Sequence, residues 1–201
     1  MNMNDKILII ANGPSILQYK FGNHIDKFKN IARINNYKIE GFNEYIGEKT
    51  SIWFNGGNQN LTIPYKLPNE IIVFIPYDLQ NKNLIKIQKR TSQRLNLNAS
   101  KYNLIPKDEM LKFEKISNVK RPTTGLNSIL WSISNYKKVI IHGFDFFQDG
   151  KNHYYDSYFK GKISYLKSLM FYEKHNHFSE KKFVKKLIKD KRVISLVDYL
   201  N

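Results

Sequence analysis

The sequence KKVIIHGFDFFQDGKNHYYD, residues 137–156, contains the change from a buried strand to polar residues that decides the fold. Residues 139–141 form a short continuous apolar run, which is typical of a strand covered on both faces in a parallel sheet. His142 and Gly143 end this run. Ligands of open α/β sheets bind beyond the carboxyl ends of the strands, so we expect the active site here. The residues that follow the strand and fall in this region include Asp145, His153, Tyr154, Tyr155 and Asp156.

Further segments alternate between strand and helix patterns along the chain. Strands are predicted at residues 6–11, 30–37, 51–54, 70–76 and 192–197. Helices are predicted at residues 81–97 and 108–116, after the turn at residues 121–125, and from an N-cap at Ser179 with a buried stripe of Phe183, Val184, Leu187 and Ile188. This alternation predicts an α/β fold with a mostly parallel sheet flanked by helices. No linker or repeat is visible, so residues 1–201 are expected to form a single domain.

Composition limits the classes of protein that fit the chain. The 201 residues are 41% hydrophobic, which suffices for one sizeable core in a soluble protein. The net charge of +16 would attract phosphates, nucleic acid or an anionic membrane. No cysteine occurs, which excludes disulfides and thiolate metal sites and is compatible with a reducing cytosol. The apolar run at residues 6–11 is too short for a membrane span or a signal peptide, so a cytoplasmic protein is expected.

Asparagines stand at the ends of three predicted strands. Asn12 follows the first strand in the turn NGPS, and Asn35 and Asn55 end the next two strands. An amide offers both donors and acceptors, which suits the edge of a base or the hydroxyls of a sugar. Each asparagine alone also fits a purely structural role, because this residue is common in turns. Their convergence at successive strand ends favours a ligand site, although the dinucleotide fingerprint G-x-G-x-x-G is absent.

A turn directly precedes a helix in RPTTGLNSILWSI, residues 121–133. Apolar residues recur at helical spacing at Leu126, Ile129, Leu130 and Ile133. Thr123 or Thr124 can cap this helix, whose N-terminus carries free N–H groups and a partial positive charge. With Arg121 beside it, the helix N-terminus predicts a binding site for an anion such as a carboxylate.

Two segments leave alternatives open. Residues 158–172 carry five aromatic side chains on a basic background, which fits a mobile lid or a helix and loop that pack their aromatic side chains on the core. A lid would extend over residues 148–175. The basic stretch at residues 86–94 fits a solvated helix face or a contact with an anionic surface.

Four motifs resemble those of the sialyltransferases that use CMP-sialic acid. Residues 33–55 are similar to the large motif of that family, with R-x-N, G-F and G-x-K-T in order. Residues 121–146 resemble the small motif, with P-x-T-G, a helix and a strand that ends in G-F. HYYD at residues 153–156 resembles the third motif, and His175 with Glu180 reproduces the fourth, H-x4-E. Through IIANGPS, RINN, IWFNGG and GFDFFQDG the chain also resembles small bacterial sialyltransferases that act on lipooligosaccharide.

The resemblance implies a role for each matched residue. Donor binding would fall to Asn12, Gly13, Ser15, Asn35 and Asn55, with Gly143, Phe144, Asp145 and Tyr154 completing the site, and the sialic acid carboxylate and nearby groups would be held by Thr123, Thr124 and Gly125. His153 would contact the donor phosphate, and His175 would be the general base. Phe147 stands where the bacterial relatives have a phosphate-binding tyrosine, so His153 or Tyr154 would replace that contact. The cysteines that join the two long motifs in animal members are absent.

The same resemblance implies a Rossmann-like domain, a variant of the GT-A type, that carries out an inverting single displacement. Sialic acid would pass to a hydroxyl of a lipooligosaccharide or capsule glycan, in bacterial lipopolysaccharide biosynthesis. A histidine of near-neutral pKa suits the base, and fixed donors such as His153 and Tyr154 would stabilise the departing phosphate. Residues 145–147 do not supply the metal-binding motif D-x-D, so no metal and no other cofactor is expected.

Two alternatives remain beside this prediction. A transferase that uses another CMP-activated acid sugar, such as Kdo, would need nearly the same pocket. A basic nucleic-acid-binding module fits the charge and the aromatic content, but no recognition motif is present. The expected partners are therefore a CMP-sugar donor and a glycan acceptor, and not nucleic acid. Since the chain lacks a membrane-associating tail after its last strand, peripheral contact with the inner face of an anionic membrane would come from its basic surface.

Overall fold

The computed structural model describes residues 4–145, 153–155 and 177–201. His175, Asp156, Phe147 and the greater part of the predicted lid at residues 148–175 lie outside the described residues.

A parallel sheet of seven strands organises the described part of the chain. The strands are β1 (Asn4–Ile10), β2 (Ile31–Ile34), β3 (Ile52–Asn55), β4 (Glu70–Val73), β5 (Asn103–Leu104), β6 (Tyr136–His142) and β7 (Val193–Ser195). Their order in the sheet is β5-β4-β3-β2-β1-β6-β7, and every pairing among them is parallel. The predicted α/β fold with a mostly parallel sheet is confirmed. The strand order reverses at β1, which lies between β2 and β6. Ligands of open α/β sheets bind outside the carboxyl ends of the strands at such a point.

Eight α-helices are formed by the described residues. They are α1 (Gly22–Ile25), α2 (Asn43–Ile46), α3 (Tyr77–Lys82), α4 (Leu84–Leu95), α5 (Lys107–Ser117), α6 (Thr124–Asn135), α7 (His177–Lys189) and α8 (Leu196–Leu200). Short 3-10 turns occupy Pro14–Gln18 and Ala99–Lys101. Within the described part of the chain, no helix is long and apolar enough to cross a membrane.

Two helix boundaries and one strand end differ from the sequence prediction. The single helix expected at residues 81–97 is divided into α3 and α4 at Asn83, whose side chain accepts a hydrogen bond from the N–H of Lys86 and caps α4. The final strand ends at Ser195, because this serine caps α8 by accepting a hydrogen bond from the N–H of Asp198 at 3.1 Å. Ser179 is not the N-cap of α7, which begins two residues earlier, so that prediction was wrong.

The core covers both faces of the central strands, as the apolar run in β6 predicts. Val139 and Ile141 join the larger cluster, into which α6 inserts Leu126 and Ile129. Ile140 points the other way and joins a cluster with β1 and β2 residues. Side chains on successive strand positions therefore enter opposite cores, which explains why residues 139–141 are apolar without interruption. In α7 the predicted buried stripe is confirmed, with Val184 and Leu187 buried and Phe183 and Ile188 packed against the same cluster.

Candidate functional site

The turn after β1 joins the carboxyl ends of the two neighbouring strands. The Asn12 side chain donates hydrogen bonds to the carbonyl oxygens of Ile34, at 2.9 Å, and Asn36, at 2.8 Å. Both acceptors lie at the end of β2 or just beyond it. Asn12 therefore holds the ends of β1 and β2 together, and the structure confirms that the strand-end asparagines gather at one edge.

A second set of hydrogen bonds links the turn after β1 to the residues that follow β6. The Asp145 carboxylate accepts hydrogen bonds from the N–H of Ser15, at 2.8 Å, and from the Ser15 hydroxyl. The N–H of Gly13 donates to the carbonyl of Gly143 at 2.9 Å, and a Cβ on Gly13 would lie only 2.6 Å from that oxygen and would also clash with Asp145. Gly143 has φ +72°, in the left-handed region that favours glycine.

Gly13, Ser15, Gly143 and Asp145 were predicted to contact the donor directly. In the structure the polar side chains of Ser15 and Asp145 bond each other, and the two glycines are required by close backbone packing. Their role in the geometry is to fix the shape of the turn. Direct contact with a donor stays a prediction for them.

Asn35 and Asn55 lie at the adjacent ends of β2 and β3. The backbone of Asn35 has φ +50°. Its side chain accepts a hydrogen bond from the N–H of Gly56 at 3.1 Å. The Asn55 side chain is fully buried and accepts from the N–H of Gly57 at 3.1 Å, while its amide nitrogen has no hydrogen-bond partner among the described residues. A buried donor without a partner costs about 1–3 kcal/mol.

The tripeptide at residues 153–155 packs against this same edge. The N–H of Tyr154 donates to the carbonyl of Asn12 at 3.0 Å, and the Tyr155 hydroxyl donates to the carbonyl of Asn36 at 3.0 Å. The half-buried His153 ring stacks on Tyr155, with ring centroids 5.2 Å apart. The third motif therefore meets the first turn and the end of β2, as the active-site prediction requires.

Tyr154 has a structural role that the sequence did not indicate. Its hydroxyl donates to the carbonyl of Lys38 at 2.6 Å and accepts from the N–H of the same residue at 2.9 Å. Burial raises the pKa of Tyr154 to about 12, so the hydroxyl stays protonated at neutral pH. The expectation that Tyr154 replaces the missing phosphate contact is not supported by this geometry, since the hydroxyl is already bonded on both sides. His153 is the remaining candidate.

The N-terminus of α6 already holds a carboxylate from the chain itself. Thr123 caps the helix by accepting from the N–H of Leu126 at 3.2 Å. Its own N–H donates to one Glu180 carboxylate oxygen at 2.8 Å, and its hydroxyl donates to the other at 2.6 Å. Only 1% of Glu180 is exposed, and burial raises the pKa of its carboxyl group.

This contact concerns one of the expected donor contacts. Thr123 was expected to hold the donor carboxylate together with Thr124 and Gly125, but in the structure its N–H and hydroxyl are bonded to Glu180. Contact of Thr124 and Gly125 with the donor stays a prediction. Glu180, the second residue of the H-x4-E motif, bonds the first turn of α7 to the N-terminus of α6. The electrostatic reason is the one that predicted an anion at this N-terminus, where unpaired N–H groups carry partial positive charge.

Arg121 is likewise engaged by a protein carboxylate. Its guanidinium donates to both oxygens of Asp78, one of them at 3.0 Å. The hydrogen bonds from Arg121 hold the pKa of the Asp78 carboxyl below its usual range. The expectation that Arg121 serves an incoming anion beside α6 is therefore not supported.

Thr124 and Gly125 lie next to the end of β3. A Cβ placed on Gly56 would be 3.0 Å from the Thr124 hydroxyl, and one placed on Gly125 would be 3.3 Å from the Phe144 ring. The small motif is therefore brought together with the loop that follows Asn55. Phe144 covers Gly125 as an apolar wall and packs on the main core.

Sequence reasoning missed two residues that organise this edge. Asn36 binds the loop after β3 through its side chain, which donates to the carbonyl of Asn60 and accepts from the N–H of Thr62, both at 2.8 Å. Arg33 is buried without a carboxylate partner among the described residues, and its guanidinium bonds to three carbonyl oxygens at residues 46–49. Both belong to the quoted large motif, but their partners are distant in sequence.

Metal ligation has no candidate cluster in the described residues. Across residues 4–145, 153–155 and 177–201, no group of three or more His, Cys, Asp or Glu side chains is arranged to hold an ion. Metal independence of the reaction stays a prediction.

Comparisons with known proteins agree on one family. Residues 5–71 and 72–192 match the model described as glycosyltransferase family 29 (sialyltransferase). The chain is 26% identical over 218 residues to a type 2 lactosamine alpha-2,3-sialyltransferase of Rattus norvegicus, with 95% of this chain and 64% of the relative covered. This chain therefore spans somewhat less than two thirds of the length of that curated relative.

Solved structures share the fold at low sequence identity. A mammalian sialyltransferase in complex with Gal-beta-1-3GalNAc-ortho-nitrophenol has a TM-score of 0.70 and 16% identity, covering 96% of this chain and 69% of that one. The sialyltransferase CstII from Campylobacter jejuni, in complex with cytidine-5'-monophosphate, has a TM-score of 0.58 and 18% identity, covering 98% and 81%.

Proposed function

The chain belongs to glycosyltransferase family 29, the sialyltransferases, and on that premise we propose that it transfers sialic acid from CMP-sialic acid to a hydroxyl of a glycan. The observation that carries this proposal is the match of the family model across residues 5–71 and 72–192. A structural neighbour that is named as a complex with cytidine-5'-monophosphate supports a CMP-activated donor.

The proposed reaction is an inverting single displacement. His175 takes the proton of the acceptor hydroxyl, and His153 meets the charge that develops on the departing CMP phosphate. Asn35 and Asn55 bind polar groups of the donor, and their position at the adjacent carboxyl ends of β2 and β3 supports that role. Thr124 and Gly125 hold the donor carboxylate, and the closeness of Thr124 to the loop after Asn55 supports that role.

The proposed acceptor is a lipooligosaccharide or capsule glycan of a bacterium, and the proposed setting is cytoplasmic lipopolysaccharide biosynthesis. The motifs shared with small bacterial sialyltransferases support this choice. A donor panel that includes CMP-Kdo separates sialic acid transfer from the use of a related CMP-activated acid sugar.

Binding of the nucleotide is the first test. CMP at about a hundred times its Kd should add about 2.7 kcal/mol to the free energy of unfolding, measured by thermal denaturation. UDP, GDP and NAD should have little effect. Replacing Asn35 or Asn55 with alanine should weaken CMP binding about tenfold, because each change removes about one hydrogen bond to the ligand.

Asn30→Ala is the matched control for these variants. The Asn30 side chain donates to the carbonyl of Lys6 at the opposite edge of the sheet, so its loss should leave CMP affinity unchanged. Equal CMP affinity in the parent and in both site variants would contradict the assigned pocket. No stabilisation by any nucleotide would favour the binding-module alternative.

Transfer is expected to persist in EDTA, because His153 and neighbouring donors meet the leaving phosphate without a cation. The measurement is the initial rate of sialic acid transfer before and after chelation. Activity that disappears in EDTA and returns with magnesium or manganese would show that a metal is required.

A further inference from the structure

One long segment of the chain carries basic residues without any acidic residue. Between Asp78 and Asp108 there is no Asp or Glu in residues 79–107. The basic residues of this segment are Lys82, Lys86, Lys89, Arg90, Arg94, Lys101 and Lys107. A surface formed by this segment has no counter-charge of its own, which favours an anionic partner.

Helix α4 lies within this segment and displays its basic residues to solvent. Thr91 and Leu95 are buried on the inner side of the helix, and Ile87 is partly buried with them. Lys86, Lys89 and Arg90 are exposed.

One aliphatic side chain is exposed beside these basic residues. Ile85 is 80% exposed and precedes Lys89 by four residues, which places the two on neighbouring positions of the same helix face. Anionic lipids attract basic residues near the membrane surface, and an exposed aliphatic side chain among them can enter the headgroup boundary.

The same helix is tied to the candidate site. The Arg94 guanidinium donates to the carbonyl of Gly57 at 2.6 Å, in the loop that follows Asn55. The C-terminal end of α4 therefore lies beside the carboxyl edge of the sheet.

We propose that the α4 surface, formed by Ile85, Lys86, Lys89 and Arg90, docks on a bilayer that contains anionic phospholipids. The Ile85 side chain enters the headgroup boundary and the basic side chains lie over lipid phosphates. Docking does not depend on the donor chemistry, so it is measurable whether or not the chain transfers sialic acid.

Two other occupants fit the surface less well. Nucleic acid without sequence preference is bound through aromatic side chains on which bases stack, and α4 contains no aromatic residue. A second copy of the chain would place two basic faces against each other, which like-charge repulsion opposes.

Vesicle sedimentation of the full chain tests the proposal. The chain should bind vesicles of phosphatidylcholine mixed with phosphatidylglycerol, should not bind phosphatidylcholine alone, and should be released by high salt because screening weakens the attraction. Each basic residue contributes about fivefold to such binding, so the double variant Lys86→Glu and Lys89→Glu should bind at least about twenty-five-fold more weakly. Ile85→Ser should also weaken vesicle binding, although it leaves the net charge unchanged.

Helix α5 provides matched controls. Lys112 and Lys115 are exposed there, and Ile116 is 50% exposed, so Lys112→Glu with Lys115→Glu makes the same charge change and Ile116→Ser the same apolar change elsewhere. These controls should bind vesicles nearly as the parent does, and a cooperative thermal melting transition near that of the parent should show that every variant is folded. Equal binding to neutral vesicles, no loss in the α4 variants, or an equal loss in the α5 variants would overturn the proposal. RNA retention that depends on Lys86 and Lys89, without vesicle binding, would overturn it in favour of nucleic acid.

Discussion

Replacing His175 with alanine is expected to lower the turnover number about a hundred- to ten-thousand-fold, with little change in donor affinity. The reason is that a general base acts on the acceptor proton in the transition state and contributes little to binding of the nucleotide. In the parent, the rate should fall toward acid pH as this histidine becomes protonated. The His175→Ala variant should not show this decrease in rate toward acid pH. Steady-state kinetics across pH, together with CMP binding, measures both effects.

His177 is the matched control for this experiment. It is the first residue of α7 and has the same ionisable ring, but it lacks the H-x4-E spacing to Glu180. His177→Ala should therefore be much milder. Near-parent turnover in the His175 variant, or a larger loss in the His177 variant, would show that the wrong histidine was chosen.

Replacing Glu180 with alanine is expected to lower the free energy of unfolding by about 1–3 kcal/mol, because it leaves donors of Thr123 unpaired in a buried site. Turnover should fall as well, since α7 loses its anchor on α6 close to His175 in the sequence. Glu180→Gln keeps the size and one acceptor oxygen, so it should be milder in both measurements. Chemical denaturation and steady-state kinetics on the three proteins provide the comparison.

The pH dependence of the free energy of unfolding tests whether the Glu180 carboxyl is the group that titrates, because glutamine has a similar size but does not ionise. Burial raises the folded-state pKa of Glu180 above its unfolded value, so the folded protein binds the proton more tightly. The free energy of unfolding should therefore decrease as pH rises from the unfolded pKa through the raised folded pKa. This decrease should be absent from the Glu180→Gln protein. An unchanged pH profile in that variant would contradict the assignment.

The central strands were predictable because their burial leaves a direct pattern in sequence. Residues 139–141 are apolar without interruption because β6 is covered on both faces, and the same reasoning located β1 and β4. The start of α6 was predictable from local capping chemistry, since Thr123 bonds a residue only three positions away.

The contacts within the candidate site were not predictable in the same way. Thr123 and Glu180 are 57 residues apart, and Tyr154 and Lys38 are 116 apart. No local pattern distinguishes a hydroxyl that binds a ligand from one that bonds a distant backbone group. Sequence reasoning therefore gave Thr123 and Tyr154 ligand-binding roles, and the structure shows both bonded within the protein.

The sequence by itself determined the alternation of the main strands and helices, the parallel sheet and the edge at which the asparagines gather, because these follow from short-range periodicity and the direction of the chain. Only the tertiary structure decided how the polar groups at that edge are bonded. Asp145 binds Ser15, Glu180 binds Thr123 and Arg121 binds Asp78, while the amide nitrogen of the buried Asn55 has no partner among the described residues. The physical reason is that a hydrogen bond is decided by distances of about 3 Å, which long-range packing sets and local sequence does not.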